Sequence, residues 1–269
     1  MTGFSADWLA LREPFDRRAR DISVLSSVAQ HFSNRASLTI VDLACGTGST
    51  RRAMAEHLPH FQNWVLVDND LGLLARAGET PRNEGCTLRT IPLDLMRDLE
   101  MALDGGPDLI VASALLDLVS EEWLDRLVLE CAVRRLPIYA ALTYDGRVTL
   151  DPVDPFDRRM IGAVNRHQLR DKGFGPALGP GAVDTLRASC KAAGYAIREA
   201  QSDWVIDEDD CDVQQAMLTG WAQAAREMDD ITEGEVAGWL RRRVDLVMAG
   251  VGTMRVGHGD AFAYPTSRA

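Results

Sequence analysis

The chain has 269 residues, of which 46% are hydrophobic and 26% charged, and its formal net charge is -11. That composition excludes a disordered or fibrous chain, and the acidic balance argues against bulk electrostatic attachment to nucleic acid or to an anionic membrane. Cys45, Cys86, Cys131, Cys190 and Cys211 stand far apart, without a CxxC pair or a histidine at metal-ligand spacing, so a reduced, cytoplasmic chain with no metal site is expected.

From the N-terminus, Trp8, Leu11, Phe15, Ala19, Ile22, Leu25, Ala29 and Phe32 recur at steps of three and four. Pro14 is tolerable only near a first turn, so the pattern predicts a short helix, a break and a longer helix. The same stretch lacks a signal-peptide core, and no run approaches the roughly 18 to 20 apolar residues of a membrane helix. Short β-like and helical runs then alternate. Strands are predicted over 38–43, 64–67, 87–92, 108–113 and 138–143, with helices near 50–58, 71–77, 95–103 and 121–135. Such alternation is the signature of a doubly wound, mainly parallel sheet.

After Thr143 the pattern changes. The stretch "YDGRVTLDPVDPFD" reads as a loop, followed by a helix near 155–169 and the glycine-rich "DKGFGPALGPG". Next come a helix near 182–193, a strand-like "YAIREAQ", helical patterns about 213–228 and 233–248, and a last short strand "DAFAYP". The acidic "DEDDCD" at 207–212 reads as a solvated loop and helix start. The expected organisation is an N-terminal helical segment (1–36), an α/β core (37–148), an inserted cap (149–180), and a C-terminal part of the core (181–269) with a helical insertion at about 207–250.

The stretch "TIVDLACGTGSTRRAMAEHL", 39–58, places an acid and two glycines between a strand and a helix start. Missing side chains let a ligand approach the backbone there, as in nucleotide cradles. A dinucleotide fingerprint needs a third glycine where this chain has Arg51, and no Gly-Lys-Ser/Thr follows as in a phosphate-binding loop. What remains is an acid close to the glycines, which suits a ligand whose nearby group is a cation. Asp42, Asp68, Asp94 and Asp117 each also stand where an Asp could cap a helix, so both uses remain open for them.

"VDLACGTGS" resembles the first motif of the class I S-adenosylmethionine-dependent methyltransferases, with Asp42, Ala44, Gly46 and Gly48 on its positions. Asp68 in "WVLVDNDLGLL", Asp94 in "IPLDL" and the run "DLIVASALLDLV" resemble the family's later motifs in order. The segments "WLALREP", "TYDG", "HQLRDKGFG" and "SDWV" resemble a combination carried by bacterial small-molecule members. The resemblance implies an α/β Rossmann-like fold: a seven-stranded, mainly parallel sheet with a reversed last strand, helices on both faces and a helical cap. It implies S-adenosyl-L-methionine as cofactor. Asp42 would face the methionine portion, Asp68 with Asn69 the ribose, and Asp94 with Leu95 the adenine. Ser113 would lie under the cofactor.

Departures from the family narrow the chemistry. "ASAL" at 112–115 replaces the Asn/Asp-Pro-Pro-aromatic motif of exocyclic-amine methyltransferases, and no Pro-Cys pair marks a nucleophilic cysteine. Asp117 and His167 are the candidate catalytic residues, with Tyr144, Asp171 and Lys172 on the substrate side. His167, Asp171 and Lys172 fall at helical steps that would put them on one face. The expected reaction is methyl transfer to a small-molecule acceptor, oxygen first, by a monomer or homodimer with no nucleic-acid or membrane partner. Two other readings stay open. One is a non-catalytic cofactor-binding scaffold, which a flat apolar face on the late helices would favour; the other is an NAD-dependent oxidoreductase, whose ribose acid would also fall near Asp68.

Overall fold

Side chains along β1 (Ser37–Leu43) alternate between two buried clusters, Leu38 and Ile40 entering one and Val41 and Leu43 the other, so this strand is covered on both faces. In the computed structural model, which describes residues 4–79, 84–228 and 230–266, it lies at the centre of an eight-stranded sheet. The other strands are β2 (Phe61–Asp68), β3 (Cys86–Pro92), β4 (Leu109–Ser113), β5 (Ile138–Asp151), β6 (Tyr195–Gln201), β7 (Trp204–Ile206) and β8 (Thr253–Pro265). Their order is β3-β2-β1-β4-β5-β8-β6, with β7 added to β8. The strands from β3 to β5 pair in parallel, while β8 runs antiparallel to β5, β6 and β7.

Helices α5 (Leu99–Ala102), α6 (Glu121–Arg134) and α8 (Ala182–Ala192) cover one face of the sheet. The opposite face carries α2 (Ile22–His31), α3 (Ser49–Met54) and α4 (Leu71–Gly78). A third cluster forms a separate lobe. It joins α1 (Ala6–Ala19), α7 (Asp157–Gln168), α9 (Cys211–Arg226) and α10 (Glu233–Met248) to β7 and the outer halves of β5 and β8. At its centre the buried carboxylate of Asp157 accepts from Arg243 Nε at 3.0 Å and from Trp239 Nε1 at 2.8 Å. Removing either partner of such a buried pair would leave a charge uncompensated.

The α/β Rossmann-like fold expected from the sequence is the one observed, with several local corrections. The first helix does not break at Pro14: α1 continues to Ala19, because Arg12, Phe15 and Asp16 are buried on its lobe-facing side, and the break falls at Arg20 and Asp21. The "YDGRVTLD" stretch is strand rather than loop. Gly146, at φ +84°, absorbs a register shift between Tyr144 and Val148, after which β5 again pairs with β8. β8 is correspondingly longer than its predicted end, and three-residue β7 makes the sheet eight-stranded rather than seven-stranded. The helix predicted over 95–103 shrinks to α5, the preceding residues forming a turn held by Asp94. α7 stops at Gln168, so Asp171 and Lys172 lie beyond the helix and do not share a helical face with His167.

No described helix is long and apolar enough to cross a membrane, and no metal-holding cluster of His, Cys, Asp or Glu occurs among the described residues. The apolar faces of α9 and α10 turn inward. Beyond residue 207 the large hydrophobic side chains exposed among the described residues are Met248 and Val251, which make no flat apolar face of the kind a scaffold would present.

Candidate active site

The turn after β1 is built from left-handed backbone. Ala44, Gly46 and Gly48 have φ of +52°, +54° and +79°, and the turn is fastened by Gly48 N donating to Cys45 O at 2.8 Å and Cys45 N to Val67 O at 3.0 Å. At Gly48 a side chain would be strained by the positive φ, and its Cβ would also crowd Leu66 Cδ1 at 3.3 Å. Non-glycine residues with positive φ recur on the neighbouring strands, at Ala114 after β4 (+50°) and Leu142 in β5 (+54°). Backbone strain is thus concentrated at the carboxyl edge of the three central strands, where ligands of open α/β sheets bind.

Asp42, at the end of β1, is 1% exposed, and neither carboxylate oxygen has a hydrogen-bond partner. Burial pushes its carboxyl up to about 8, against the pull of Arg20 and with a further push from Asp68. It caps no helix. A buried acid with two free acceptors fits a cationic ligand group, as the motif requires. Asp68 is also buried, but its oxygens hold the backbone: Oδ2 accepts from Gly46 N at 2.8 Å and Oδ1 from Asp70 N at 3.0 Å. The N-cap of α4 is Asp70, not Asp68.

Asn69 is exposed beside Asp68. Asp94 is exposed as well, and its Oδ1 accepts from Met96 N at 3.0 Å, a capping use. Leu95 is buried and its carbonyl accepts from Trp123 Nε1 at 2.8 Å, which moors this turn to α6. Ser113 Oγ accepts from Arg20 Nη2 at 3.0 Å.

Asp117 follows β4 and is 6% exposed, with Oδ1 unpartnered. Ser120 caps α6 by accepting from Trp123 N at 3.2 Å, so capping does not explain Asp117. Burial pushes the Asp117 carboxyl up to about 6, opposed by backbone hydrogen bonds and by Arg12. The glycine-rich segment walls this position: Gly179 N donates to Asp117 O at 2.9 Å and Leu178 N to Val119 O at 2.8 Å.

Three aromatic rings adjoin this region. Tyr144 and His258 lie 6.1 Å apart between centroids, and His258 and Trp204 5.3 Å apart. Burial, followed by Arg12, holds His258 down at about 3, so its ring is neutral, and its Nδ1 has no partner. The Tyr144 hydroxyl donates to Asn165 Oδ1 at 2.7 Å.

His167 and Lys172 meet each other rather than the strand ends. Lys172 Nζ lies 3.3 Å from His167 Nδ1, and His167 Nε2 lies 3.2 Å from Glu227 Oε2 just beyond α9. Burial and Lys172 lower the His167 pKa, which fits a neutral ring accepting at Nδ1 and donating from Nε2. Asp171 closes its own turn, its Oδ1 accepting from Gly173 N at 2.6 Å and Gly175 N at 3.1 Å.

Sequence reasoning missed Arg12, Arg20, Trp204 and His258. They come from α1, the α1–α2 break and the C-terminal strands, and only their place among apolar residues hints at burial.

α1 closes the site from above. A Cβ on Gly46 would lie 3.1 Å from Leu9 Cδ1, and Arg52 Nε beside the loop donates to Glu13 Oε1 of α1 at 2.5 Å.

Residues 40–135, which span β1 to α6 and include Asp42, Asp68, Asp94 and Asp117, match the family described as "Methyltransferase domain". The match covers the part of the chain that carries the acid and glycine motifs. Among solved structures, the chain is similar to the cyclopropane synthase MmaA2 from Mycobacterium tuberculosis, at 12% identity and a TM-score of 0.52 over 97% of this chain and 94% of that one. It is also similar to a cyclopropane-fatty-acyl-phospholipid synthase-like protein from Lactobacillus casei ATCC 334, at 14% identity and a TM-score of 0.50 over 97% and 95%. Those likenesses establish the fold alone. No curated protein matches the sequence. The free acceptors of buried Asp42 together with the left-handed glycine turn fit S-adenosylmethionine, the cofactor that the motif implies.

Proposed function

We propose that the chain is a methyltransferase that acts on a hydroxyl group of a small molecule and that Asp117 is the general base. The observation that carries this reading is Asp117 itself: a buried carboxyl after β4, one oxygen unpartnered, with a pKa pushed up to about 6. A base poised near neutrality suits an acceptor that arrives protonated. S-adenosylmethionine, when bound, supplies a methyl group already made electrophilic by its sulfonium.

The protein therefore mainly aligns and excludes water. Asp42 receives the cofactor's ammonium, and the Gly46 and Gly48 backbone lets the ligand approach. Asp68 fixes the loop through Gly46 and offers its remaining lone pairs to the ribose hydroxyls. Tyr144, Trp204 and neutral His258 form a half-aromatic wall for the acceptor, and α1 covers the assembly. His167 and Lys172 fasten α7 to the end of α9 through Glu227.

The acidic charge favours a small acceptor over nucleic acid. The test is radiolabelled methyl transfer to a panel of small hydroxylated, amine and thiol acceptors with wild type and Asp117→Asn. Methylated hydroxyl products that disappear in Asp117→Asn are expected. Full turnover of an acceptor by Asp117→Asn would remove Asp117 from the chemistry.

A further inference from the structure

Arg12 belongs to α1 and is buried, yet its guanidinium is only partly used. Nε and Nη2 donate to the two oxygens of Asp16 at 2.9 and 3.0 Å, which leaves Nη1 without a hydrogen-bond partner among the described residues. The fork is held in place. Its central carbon lies 4.9 Å from the centre of the Trp204 ring, and Trp204 Nε1 donates to the same Asp16 at 3.1 Å. α1 thus carries a preorganised cation with donor hydrogens left over, and leaving such buried donors unpaired is unfavourable.

From Trp204 the rings of His258 and Tyr144 follow in turn, and the Tyr144 hydroxyl is pushed up by burial, then by Asp145 and Asp117. Arg12 is the cation felt most by both ends of this row. After burial it is the strongest influence on the neutral His258 ring, and after burial and backbone hydrogen bonding it draws on the Asp117 carboxyl. Unpartnered buried atoms gather here as well: Asp117 Oδ1, His258 Nδ1 and the Oγ of Ser202, whose amide donates to His258 O at 2.9 Å.

The charges decide what such a row can hold. A cationic amine would suit the rings and Asp117, but it would meet Arg12. A dianion would meet Asp16 and the ionised Asp117. One carboxylate matches the unused nitrogen of a single guanidinium.

We propose that Arg12 determines acceptor specificity by binding a carboxylate of the methyl acceptor, so that the substrate is a small hydroxylated carboxylic acid. Its hydroxyl lies toward Asp117 and its body along Tyr144, His258 and Trp204. This rests on the reading of Asp117 as the base and deepens it. The group that fixes the far end of the acceptor then comes from α1, outside the α/β core.

The test is radiolabelled methyl transfer from S-adenosylmethionine to hydroxybenzoates, hydroxyphenylacetates and hydroxybutyrates, each compared with its primary amide, its phosphonate, and its amino and mercapto analogues. Wild type should favour acids over amides by roughly ten- to a hundredfold in kcat/KM, the range for a hydrogen bond to a charged group. Arg12→Gln should lose that preference while binding S-adenosylhomocysteine as wild type does, and Arg12→Lys should keep part of it. Arg12→Gln strands the buried Asp16 carboxylate, so Arg12→Gln combined with Asp16→Asn serves if the single variant does not fold. Four outcomes would overturn the proposal: no methylated acid, amides or phosphonates turned over as well as acids, an undiminished preference in a folded variant, or a loss of S-adenosylhomocysteine binding that moves Arg12 to the cofactor. An acid preference kept with methylation at nitrogen or sulfur would leave the Arg12 contact standing and overturn only the hydroxyl reading.

Discussion

Asp68 Oδ2 accepts the Gly46 amide at 2.8 Å, tying the end of β2 to the turn after β1. The carboxylate thus shapes the turn before any ligand arrives. Asp68→Ala should lower the unfolding free energy by about 1 to 3 kcal/mol, the cost of stranding buried donors, and weaken S-adenosylhomocysteine binding as well. Asp68→Asn keeps one acceptor oxygen and should lose less of both. Denaturant unfolding alongside calorimetry separates the two effects, and an unchanged stability in Asp68→Ala would contradict the shaping role.

Asp42 should make the ligand-free protein less stable as pH rises. Its folded carboxyl, pushed from 3.8 to about 8 chiefly by burial, holds a proton that the unfolded chain has released. Across that window the folded state binds more protons, so stability falls with increasing pH at a rate set by roughly 1.4 kcal/mol per pKa unit. Asp42→Asn should therefore be more stable than wild type at pH 8 and yet bind S-adenosylhomocysteine more weakly. Thermal melts between pH 5 and pH 9, on the order of that window, read the first effect. A variant less stable than wild type at high pH would contradict it.

Asp117 sets the expected pH dependence of turnover. As a base it must be ionised, so the rate should rise as pH increases through about 6 and level off above it. Asp117→Asn should flatten that limb and lower turnover by roughly 10²- to 10⁴-fold, with cofactor affinity kept. A variant that retains the limb near pH 6 would assign it to another group.

The motifs that were legible in the sequence are local. Strand, turn and helix follow one another within about 20 residues, so the turn at Ala44 to Gly48 and the acids at the ends of β1 and β2 could be read from chain order alone. Position was legible, but use was not. Asp94 stands where the motif implies an adenine contact, and its Oδ1 also closes a turn by accepting from Met96 N, a use that depends on the local backbone angle and that chain order does not show. Arg20, Trp204 and His258 reach the site from opposite ends of the chain, and only tertiary packing reveals them. β7 was too short for a period to register, and Pro14 masked the continuity of α1, whose burial against the lobe outweighs the missing amide.

The clamp of α1 on the glycine turn should govern ligand exchange. Arg52 Nε and Nη2 donate to Glu13 at 2.5 and 2.6 Å while Nη1 donates to Thr47 O at 2.6 Å. Glu13→Gln should raise the dissociation rate of S-adenosylhomocysteine by about two- to tenfold, the scale of a partly exposed ion pair, without loss of fold. Stopped-flow displacement reads that rate, and an unchanged value would show that α1 does not limit exit.

The central claim is that the acid and glycine turn after β1 binds S-adenosylmethionine rather than a dinucleotide, and ligand-binding calorimetry tests it most directly. Wild type should bind S-adenosylmethionine and S-adenosylhomocysteine and give no response to NAD, and Asp42→Ala should weaken the first two. Tight NAD binding with no response to S-adenosylhomocysteine would contradict the account.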